Sequence, residues 1–435
     1  MQKDLWDSEI ETKPINGLKE LQLKRLKKLI NYVYKNNKFY NSKLKEAQIK
    51  PDNIKTLKDI EKLPFLTKQD LRNYYPFGLV CTQMDEIVEI HASSGTTGKP
   101  IVGSYTRKDV ELWGEVMARS LWANGVRKND RMQNAYGYGF FTGAHGFEKG
   151  AQKIGAMVIT ISSGNTQRQI NVMKDFGSTV LACTPSYSLH IAEVAEEMGF
   201  NPSKDFNLRI GTMGAESWSD EIRNNIEKRW GIKAYEHYGL TEIIGPGIVS
   251  ECKEKKLHIN ADHFLPEIID PDTGKKLSTG EEGELVLTHI NREAMPMFRY
   301  RTRDLTRFIP EPCPCGRTHR RIERIKGRTD DMLIISGVNV FPSQIETVLM
   351  NTPEVGNNYQ IVLERENNLD RMHIRVELYS KMFHGDIREL ERLKKKLGGA
   401  LRAHITINPR IELLEPGSLP PSQGKAQRVI DKRTL

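Results

Sequence analysis

The stretch Ser93-Ser94-Gly95-Thr96-Thr97-Gly98-Lys99-Pro100 contains two glycines, four hydroxyl side chains and one lysine. Successive backbone N–H groups of such a turn form a concave anion-binding nest, to which hydroxyls add donors and lysine adds charge. The run lacks the G-x-x-x-x-G-K-[ST] spacing of a Walker loop, and a proline follows its lysine. Residues 87–90 and 101–103 predict flanking strands. The run therefore predicts a phosphate-binding turn between two strands, with a plain hairpin linker as the alternative.

The length and composition indicate a folded protein of more than one domain. A chain of 435 residues exceeds the size at which one hydrophobic core usually stops growing. Five cysteines in so long a chain do not make a disulfide framework, which favours reduced thiols or metal ligands. No stretch approaches the roughly 18–20 apolar residues of a membrane helix, and the first residues carry no apolar signal core. We therefore expect a cytoplasmic protein that does not bind membranes.

The formal net charge of +9 raises the question of polyanionic partners. Nucleic acid is one such partner, and ATP, pyrophosphate and coenzyme A are others. The basic residues concentrate around residues 19–28 and 394–396, without interleaved stacking aromatics. Solvated helix faces explain both groups better, so no nucleic-acid partner is expected.

Short apolar strands alternate with helical segments along the first half of the chain. Strands are predicted at residues 157–161, 179–182, 209–212 and 233–236, and helices at 107–123, 166–176, 186–198 and 220–230. This alternation predicts an α/β sheet with helices on its faces. Strands and turns dominate from about residue 255, and a small α+β unit begins beyond residue 327.

These patterns predict two domains. The first, over residues 1–329, is a large α/β domain of mixed sheets flanked by helices, with a helical segment over 1–80. The second, over residues 330–435, is a small α+β C-terminal domain. The boundary has no long linker, so a short hinge is expected.

Four further motifs follow the 93–100 run in chain order. They are Tyr238-Gly239-Leu240-Thr241-Glu242, Arg303-Asp304, Gly327-Arg328-Thr329-Asp330-Asp331 and Gly424-Lys425. This ordered set resembles the adenylate-forming acyl-CoA synthetases and, over nearly the whole chain, their phenylacetate–CoA ligase branch. The resemblance implies ATP-dependent ligation of an aryl-acetic-type acid, such as phenylacetate, to coenzyme A. An acyl-adenylate would be the intermediate, and AMP and pyrophosphate would be released.

The same resemblance implies the residues that bind and activate ATP. In-line attack on the α-phosphorus builds negative charge on phosphate oxygens, so donors, a cation and a metal are needed. Glu242 would hold Mg²⁺, Thr241 would donate to phosphate, and Lys425 would neutralise the reacting carboxylate and α-phosphate. The implied nucleotide contacts are Ser94, Gly95, Thr96, Thr97, Gly98 and Lys99 at the phosphates, Gly214, Ala215, Glu216, Tyr238 and Gly239 near adenine, Asp304 on the ribose hydroxyls, and Arg328 on ribose or phosphate.

Asp330 lies at the pivot of the hinge motif by resemblance. A rotation of a mobile C-terminal domain would let one active site run two half-reactions. Residues 336–340 would then face the thioester step.

The acid pocket is expected along the run of glycines and aromatics at residues 136–146. Glycines let the backbone approach a flat ligand, and aromatic rings supply stacking area. The implied contacts are Tyr136, Tyr138, Phe141, Gly143 and His145. His145 departs from the more glycine-like family pattern, which leaves the acid less defined than the reaction.

A separate signal is Cys313-Pro314-Cys315-Gly316, because a Cys-x-Cys turn can direct two thiolates at one metal. Cys252 and His258 could complete a structural Cys₃His zinc site. His263 and His319 are rival ligands, and two unrelated cysteines beside a turn are the alternative. The resemblance does not include this quartet in catalysis.

Two other functions remain open from the sequence alone. Some relatives of this branch adenylate a hydroxylated deazaflavin coenzyme instead of forming a thioester. A basic, zinc-bearing RNA-binding protein without enzymatic activity is the alternative from another class. A homodimer is also expected as an assembly.

Overall fold

The computed structural model of the chain describes residues 4–93, 100–216, 218–329, 333–335, 338–366, 369–382, 387–420 and 428–433. Its α-helices, numbered in chain order, are α1 Ser8–Glu11, α2 Ile15–Asn36, α3 Lys38–Glu46, α4 Lys68–Asn73, α5 Arg107–Ala123, α6 Thr142–Ile154, α7 Thr166–Asp175, α8 Pro185–Glu197, α9 Pro202–Asp205, α10 Asp220–Trp230, α11 Pro342–Met350 and α12 Ile387–Ile405.

The strands of the larger, N-terminal part are β1 Ile87–Ala92, β2 Val102–Thr106, β3 Arg131–Asn134, β4 Met157–Ile159, β5 Val180–Cys183, β6 Ile210–Gly214, β7 Lys233–Leu240, β8 Gly245–Glu251, β9 Leu257–Ile259, β10 Phe264–Ile269, β11 Gly283–His289, β12 Tyr300–Thr306, β13 Phe308–Ile309, β14 Arg321–Ile322 and β15 Gly327–Arg328. Those that follow are β16 Leu333–Ile335, β17 Val338–Val340, β18 Val355–Glu366, β19 Leu369–Leu378, β20 Arg410–Leu414 and β21 Val429–Asp431.

A nine-stranded sheet in the order β13-β14-β9-β8-β7-β6-β5-β3-β4 forms the centre of the larger part. β4, β3, β5, β6 and β7 pair in parallel. On the other side of β7, the strands β8, β9, β14 and β13 extend the sheet with antiparallel pairs. All four residues of β5 are buried. Val180 and Ala182 belong to one hydrophobic cluster with helix α5, whereas Leu181 and Cys183 belong to another with helix α8. Helices therefore cover both faces of the parallel strands, which explains their continuous apolar sequence.

Smaller sheets flank this centre. β10-β11-β12-β15 form a four-stranded antiparallel sheet, and β1 and β2 form a hairpin. Near the amino end, α2 buries Leu26, Ile30 and Val33 at helical spacing in the main hydrophobic cluster. The 51–80 segment consists of short helical turns and α4, as the sequence predicts.

The C-terminal part has its own sheet, in the order β20-β19-β18-β21, packed with α11 and α12. Its buried apolar residues form a hydrophobic cluster distinct from those of the larger part. Met350 of α11 also packs against the cluster that contains α8 and α10. Asn357 Nδ2 donates to Glu193 Oε1 of α8 at 2.5 Å, so a polar contact also joins the two parts.

The α/β architecture predicted from the sequence is confirmed. The predicted helices at 107–123 and 220–230 match α5 and α10, and most other boundaries differ by one to three residues. The structure adds β3 and α6, which the sequence pattern did not reveal. None of the helices in the ranges given above combines the length and apolar character needed to cross a bilayer.

Candidate active site and metal centre

Loops that follow the parallel strands carry most of the residues singled out from the sequence. The strands end at Asn134 in β3, Cys183 in β5, Gly214 in β6 and Leu240 in β7. Their ladder pairs place these ends side by side. In open α/β sheets, ligands bind in the crevice outside the carboxyl ends of the strands. The fold thus brings the acid-pocket run, the 214–216 turn and the 241–242 turn to one edge of the sheet.

The β1–β2 hairpin holds the two ends of the glycine-rich run. The backbone N–H of Ser93 donates to the Ile101 carbonyl at 2.9 Å, and the N–H of Ile101 donates to Ser93 Oγ at 3.0 Å. A Cβ at Gly103 would lie 2.8 Å from the Thr241 carbonyl oxygen, so the hairpin lies directly against that turn. The predicted phosphate contacts Ser94, Gly95, Thr96, Thr97, Gly98 and Lys99 themselves lie outside the described residues.

Glu242, the candidate magnesium ligand, is 9% exposed. Its Oε1 accepts a hydrogen bond from the Tyr300 hydroxyl at 2.6 Å. Burial, and then the Glu242 charge, raise the pKa of Tyr300, so the phenol stays protonated and donates. Oε2 accepts no hydrogen bond from the described residues, which leaves one carboxylate oxygen for a cation. Proteins commonly bind Mg²⁺ through one or two carboxylates together with substrate phosphates, and Glu242 fits that pattern.

Gly239 and Thr241, which precede this carboxylate, are fixed by packing. A Cβ at Gly239 would lie 1.9 Å from the Gly245 carbonyl oxygen, so the β7–β8 hairpin itself requires glycine there. The Thr241 carbonyl accepts a long hydrogen bond from the Tyr105 hydroxyl, at 3.4 Å.

Asp304, the candidate ribose ligand, is 4% exposed and lies on β12. The Tyr238 hydroxyl donates to its Oδ2 at 2.5 Å, and an Arg328 guanidinium nitrogen lies 3.5 Å from its Oδ1. Strand pairing accounts for this arrangement, because β15 places Arg328 opposite Asp304. Burial, and then Asp304, raise the pKa of Tyr238, so its hydroxyl remains a donor. The structure therefore brings three of the predicted nucleotide contacts into one cluster.

The turn of Gly214, Ala215 and Glu216 ends β6. A Cβ at Gly214 would lie 2.4 Å from the His237 carbonyl oxygen, and Ala215 adopts a positive φ of 69°. Such backbone is uncommon outside glycine, and it marks a turn held by its surroundings. The Glu216 carboxylate accepts hydrogen bonds from the hydroxyl and the backbone N–H of Ser186, at 2.8 and 3.2 Å.

An aromatic stack supports the proposed acid pocket. The Tyr136 ring lies flat on Phe147, with centroids 5.0 Å apart and planes 9° apart, and Phe147 meets His237 edge-on at 5.0 Å. Gly143 lies beneath Tyr136, since a Cβ there would be 3.4 Å from that ring. Of the other predicted contacts, Tyr138 accepts a hydrogen bond from Asn134 at 2.9 Å, and Phe141 is 48% exposed.

His145 lies next to one other predicted pocket residue, Tyr138, and next to His91. Its ring lies 4.8 Å from His91 and 5.3 Å from Tyr138. It lines a cleft of about 500 Å³ together with Phe140 and Lys149. Partial burial, and then the neighbouring His91, lower the pKa of His145. The imidazole is therefore a neutral wall of this cleft.

The candidate metal ligands Cys252, His258, Cys313 and Cys315 are all buried, and their ligand atoms lie within 4.8 Å of one another. The Sγ atoms of Cys252 and Cys313 are 3.7 Å apart, and Cys315 Sγ is 3.4 Å from His258 Nε2. A zinc tetrahedron with Zn–S near 2.3 Å and Zn–N near 2.0–2.1 Å has edges of about 3.7 and 3.5 Å. The geometry thus fits zinc.

The rival ligands lie elsewhere. His263 Nε2 is 2.9 Å from Asp262, and His319 Nε2 is within 3.1 Å of the Ile10 carbonyl. His258 Nδ1 faces the His319 carbonyl at 3.4 Å, which leaves Nε2 directed at the thiols. A metal-bound histidine usually donates its second N–H to such an acceptor.

Hydrogen bonding from Cys252, and then from His258, lowers the pKa of Cys315, although burial opposes the shift. The same hydrogen bond raises the pKa of Cys252, so the pair favours one thiolate, at Cys315, and metal ligation would require the second thiol to ionise as well.

A residue next to the candidate metal ligands also holds the amino end of the chain. Arg317, two residues after Cys315, donates through Nε to the fully buried Glu11 at 2.6 Å. Glu11 in turn accepts hydrogen bonds from the backbone N–H groups of Trp6 and Asp7, at 2.7 and 2.8 Å.

Comparison with known proteins places the chain in a family. A family model for AMP-binding enzymes matches residues 10–291, and one for the AMP-binding enzyme C-terminal domain matches residues 337–433. The phenylacetate-coenzyme A ligase of Thermus thermophilus is 44% identical, over 99% of this chain and 100% of its own. The chain belongs to the phenylacetate–CoA ligase family. The family member from Pseudomonas putida is also 44% identical, over 98% of this chain and 96% of its own.

Solved structures of a related ligase distinguish two arrangements of this fold. The structure of 2-hydroxyisobutyryl-CoA ligase in the postadenylation state, with 2-HIB-AMP, has a TM-score of 0.93 at 29% identity, covering 98% of this chain and 92% of its own. The same ligase in the thioesterification state, with 2-HIB-AMP and CoA, has a TM-score of only 0.74 at 30% identity, covering 99% and 93%. This member of the phenylacetate–CoA ligase family therefore has the postadenylation-like arrangement.

Besides the 94–99 run, the proposed functional residues Asp330 and Lys425 lie outside the described part of the chain. Two others were missed by the sequence analysis. Tyr300 holds the Glu242 carboxylate, and Arg292 donates to the carbonyls of Glu242 and Ile243. The only sequence signal for Tyr300 is its place in the run that contains Asp304. Arg292 lies outside all of the motifs described above.

Proposed function

We propose that this protein is an AMP-forming acid–thiol ligase that joins an aryl-acetic-type carboxylic acid, phenylacetate or a similar acid, to coenzyme A. Full-length similarity to phenylacetate–CoA ligases supports the reaction. The observation that carries the site assignment is that Glu242 and the 136–146 aromatics lie at one sheet edge, where Tyr238 of β7 also contacts Asp304 of β12.

In the first half-reaction, a carboxylate oxygen of the acid forms a bond to the α-phosphorus of ATP, and the bond to pyrophosphate breaks. Asp304 accepts hydrogen bonds from the ribose hydroxyls, while Thr241 and the 94–99 run donate to phosphate oxygens. Glu242 holds Mg²⁺, which offsets the phosphate charge when bound. Lys425 neutralises the reacting carboxylate and α-phosphate.

In the second half-reaction, the thiol sulfur of coenzyme A bonds to the acyl carbon, its proton is lost, and AMP leaves. We propose that Asp330 is the pivot for a rotation of the C-terminal domain, residues 330–435, against residues 1–329. Residues 336–340 then contribute to the thioester step.

We also propose a structural zinc ion at Cys252, His258, Cys313 and Cys315. All four ligand positions belong to the protein, which is typical of structural sites, whereas catalytic zinc keeps a position open for water or substrate. A homodimer stays a prediction, for which the mass in solution is the test.

The experiment that tests the function is pyrophosphate release from ATP with a panel of carboxylic acids, followed by consumption of the coenzyme A thiol. Acid-dependent release of pyrophosphate and stoichiometric loss of thiol are expected, with an aryl-acetic acid preferred. Pyrophosphate release with a hydroxylated deazaflavin and no loss of thiol would instead identify the adenylyltransferase. Absence of both reactions in folded, magnesium-supplied protein would refute the proposal.

A further inference from the structure

Arg292 lies between β11 and β12 and is 3% exposed. One guanidinium nitrogen donates to the carbonyl oxygens of Glu242, at 2.8 Å, and Ile243. The other donates to the carbonyl oxygen of Ser104 in β2, at 2.8 Å. One side chain thus joins the turn that carries the candidate magnesium ligand to the hairpin that carries the glycine-rich run.

Tyr105 reinforces this connection from the hairpin side. The guanidinium carbon of Arg292 lies 4.5 Å from the centre of the Tyr105 ring. The Tyr105 hydroxyl donates to the Ile244 carbonyl at 3.1 Å, and the ring stacks on Trp113 at 5.2 Å. The hairpin and the turn are therefore held by several contacts centred on one cation.

The charge of Arg292 has an unusual environment. Its partners among the described residues are backbone carbonyls and an aromatic ring, without a carboxylate ion pair. Buried charges are normally paired because an unpaired ion loses its hydration without compensation. A polyanion bound beside the hairpin and the Glu242 turn would provide the missing negative charge.

We propose that Arg292 is a positioning residue for the ATP phosphates. It fixes the β1–β2 hairpin against the Thr241–Glu242 turn, and its charge favours a triphosphate bound beside them. This role rests on the proposed ligase function. It concerns the adenylation step, because pyrophosphate is present only there. The arginine fork is needed because lysine cannot donate to three carbonyls in a fixed plane.

The test compares the two half-reactions in Arg292→Lys. Pyrophosphate release should fall roughly 10- to 100-fold, with KM for ATP and the Mg²⁺ concentration for half-maximal rate both raised. Conversion of supplied acyl-adenylate and coenzyme A to thioester should stay within about 3-fold of the parent enzyme, since no pyrophosphate takes part.

Arg299→Lys is the matched control. Arg299 is also buried and forked, but it donates to Glu267 and to the carbonyls of Glu61 and Leu63, away from the nucleotide site. It should lower thermal stability without changing KM for ATP. If Arg292→Lys does not fold, Tyr105→Phe gives the same comparison with a smaller effect. An equal loss in both half-reactions, or an unchanged KM for ATP and Mg²⁺ dependence, would overturn the role of Arg292. Failure of the parent enzyme to release pyrophosphate would instead overturn the ligase function.

Discussion

At the scale of single residues, Asp304 is the clearest test of the nucleotide site. Its two oxygens are engaged by Tyr238 and Arg328, which hold the carboxylate in one orientation. Asp304→Ala should raise KM for ATP by roughly 10- to 100-fold, since two charge-assisted hydrogen bonds to ribose are lost. Steady-state kinetics with saturating acid measures this effect.

Asp130→Asn is its control. Asp130 is equally buried and paired with an arginine, Arg209, but it precedes β3 and so lies at the opposite end of the parallel strands. This substitution should reduce thermal stability and leave KM for ATP unchanged. A similar rise in KM for both variants would argue against a ribose contact at Asp304.

Lys425 should affect one half-reaction alone. Lys425→Ala is expected to reduce acid-dependent pyrophosphate release by ~10² or more, an electrostatic loss of ~3 kcal/mol. It should still convert supplied acyl-adenylate to thioester. Lys432→Ala is a suitable control, because Lys432 pairs with Glu364 at 3.0 Å on the exposed side of the C-terminal sheet. Equal losses in both half-reactions of Lys425→Ala would contradict its assignment.

Sequence reasoning singled out Glu242 and Asp304 as candidates because each lies within a short motif whose order along the chain is distinctive. It did not identify Arg292 or Tyr300. Their contacts with Glu242 join residues 50 and 58 positions away, and the contact of Arg292 with Ser104 spans 188 positions. Such pairs depend on the strand order, which no local pattern encodes.

At the scale of elements, the missed segments β3 and α6 have physical explanations. β3 has the sequence Arg-Met-Gln-Asn, and its Gln133 and Asn134 are buried and donate hydrogen bonds. Gln133, for example, donates to the backbone and side chain of Gln169 at 2.9 and 2.8 Å. α6 contains three glycines, which lower helix propensity but allow close packing against α5.

The glycines of α6 and α12 should therefore respond in opposite ways to substitution. A Cβ at Gly150 would lie 2.6 Å from Met117 Cβ, so Gly150→Ala should destabilise the protein by about 1–3 kcal/mol. Gly399 in α12 has nothing within 4 Å of its Cβ position, so Gly399→Ala should stabilise it by about 0.4–1 kcal/mol. Denaturant unfolding followed by circular dichroism measures both changes. A destabilised Gly399→Ala would show that the space around Gly399 is not open.

The proposed zinc site leads to a prediction about metal content and thermal stability. Purified protein prepared without chelator should contain about one zinc per chain. Cys313→Ser should lose the metal and lower the melting temperature by several degrees, because the metal binding energy contributes to folding. The kcat of the surviving enzyme should change little, since the site lies apart from the Glu242 turn.

Cys81→Ser is the control for this prediction. Cys81 is also a buried thiol, but it lies outside the Cys₃His group, so zinc content should be unchanged. Elemental analysis and thermal denaturation provide both readouts. Protein whose cysteines are all reduced but which contains no zinc would refute the site.

At the scale of the whole molecule, the difference between TM-scores of 0.93 and 0.74 against two states of one ligase indicates how the two parts are arranged. Leaving this arrangement requires contacts to break. Asn357 would release Glu193, and the Ser343 hydroxyl would release the Lys326 carbonyl, to which it donates at 2.7 Å. These contacts between described residues, and the packing of Met350 on the α8 and α10 cluster, would have to re-form after each proposed rotation.

The hinge can be tested by restricting its backbone. Proline fixes φ near −65° and removes a hydrogen-bond donor, so Asp330→Pro should trap one domain orientation. Adenylation should stay within ~10-fold while thioester formation falls far more. Asp330→Ala removes only the side chain and should preserve both half-reactions. A parallel fall of both half-reactions in folded Asp330→Pro, or an unchanged thioester rate, would contradict the rotation.

The contact between Glu11 and Arg317 also has a consequence for synthesis on the ribosome. These residues are separated by 306 positions, and Glu11 is fully buried beside Arg317. Translation at roughly 5–20 residues per second needs about 15–60 s to cover that distance. During this interval the Glu11 carboxylate remains in water. Burial of Glu11 against Arg317 is therefore a late event of translation, and it coincides with the emergence of Cys313 and Cys315, the last cysteines of the proposed zinc site.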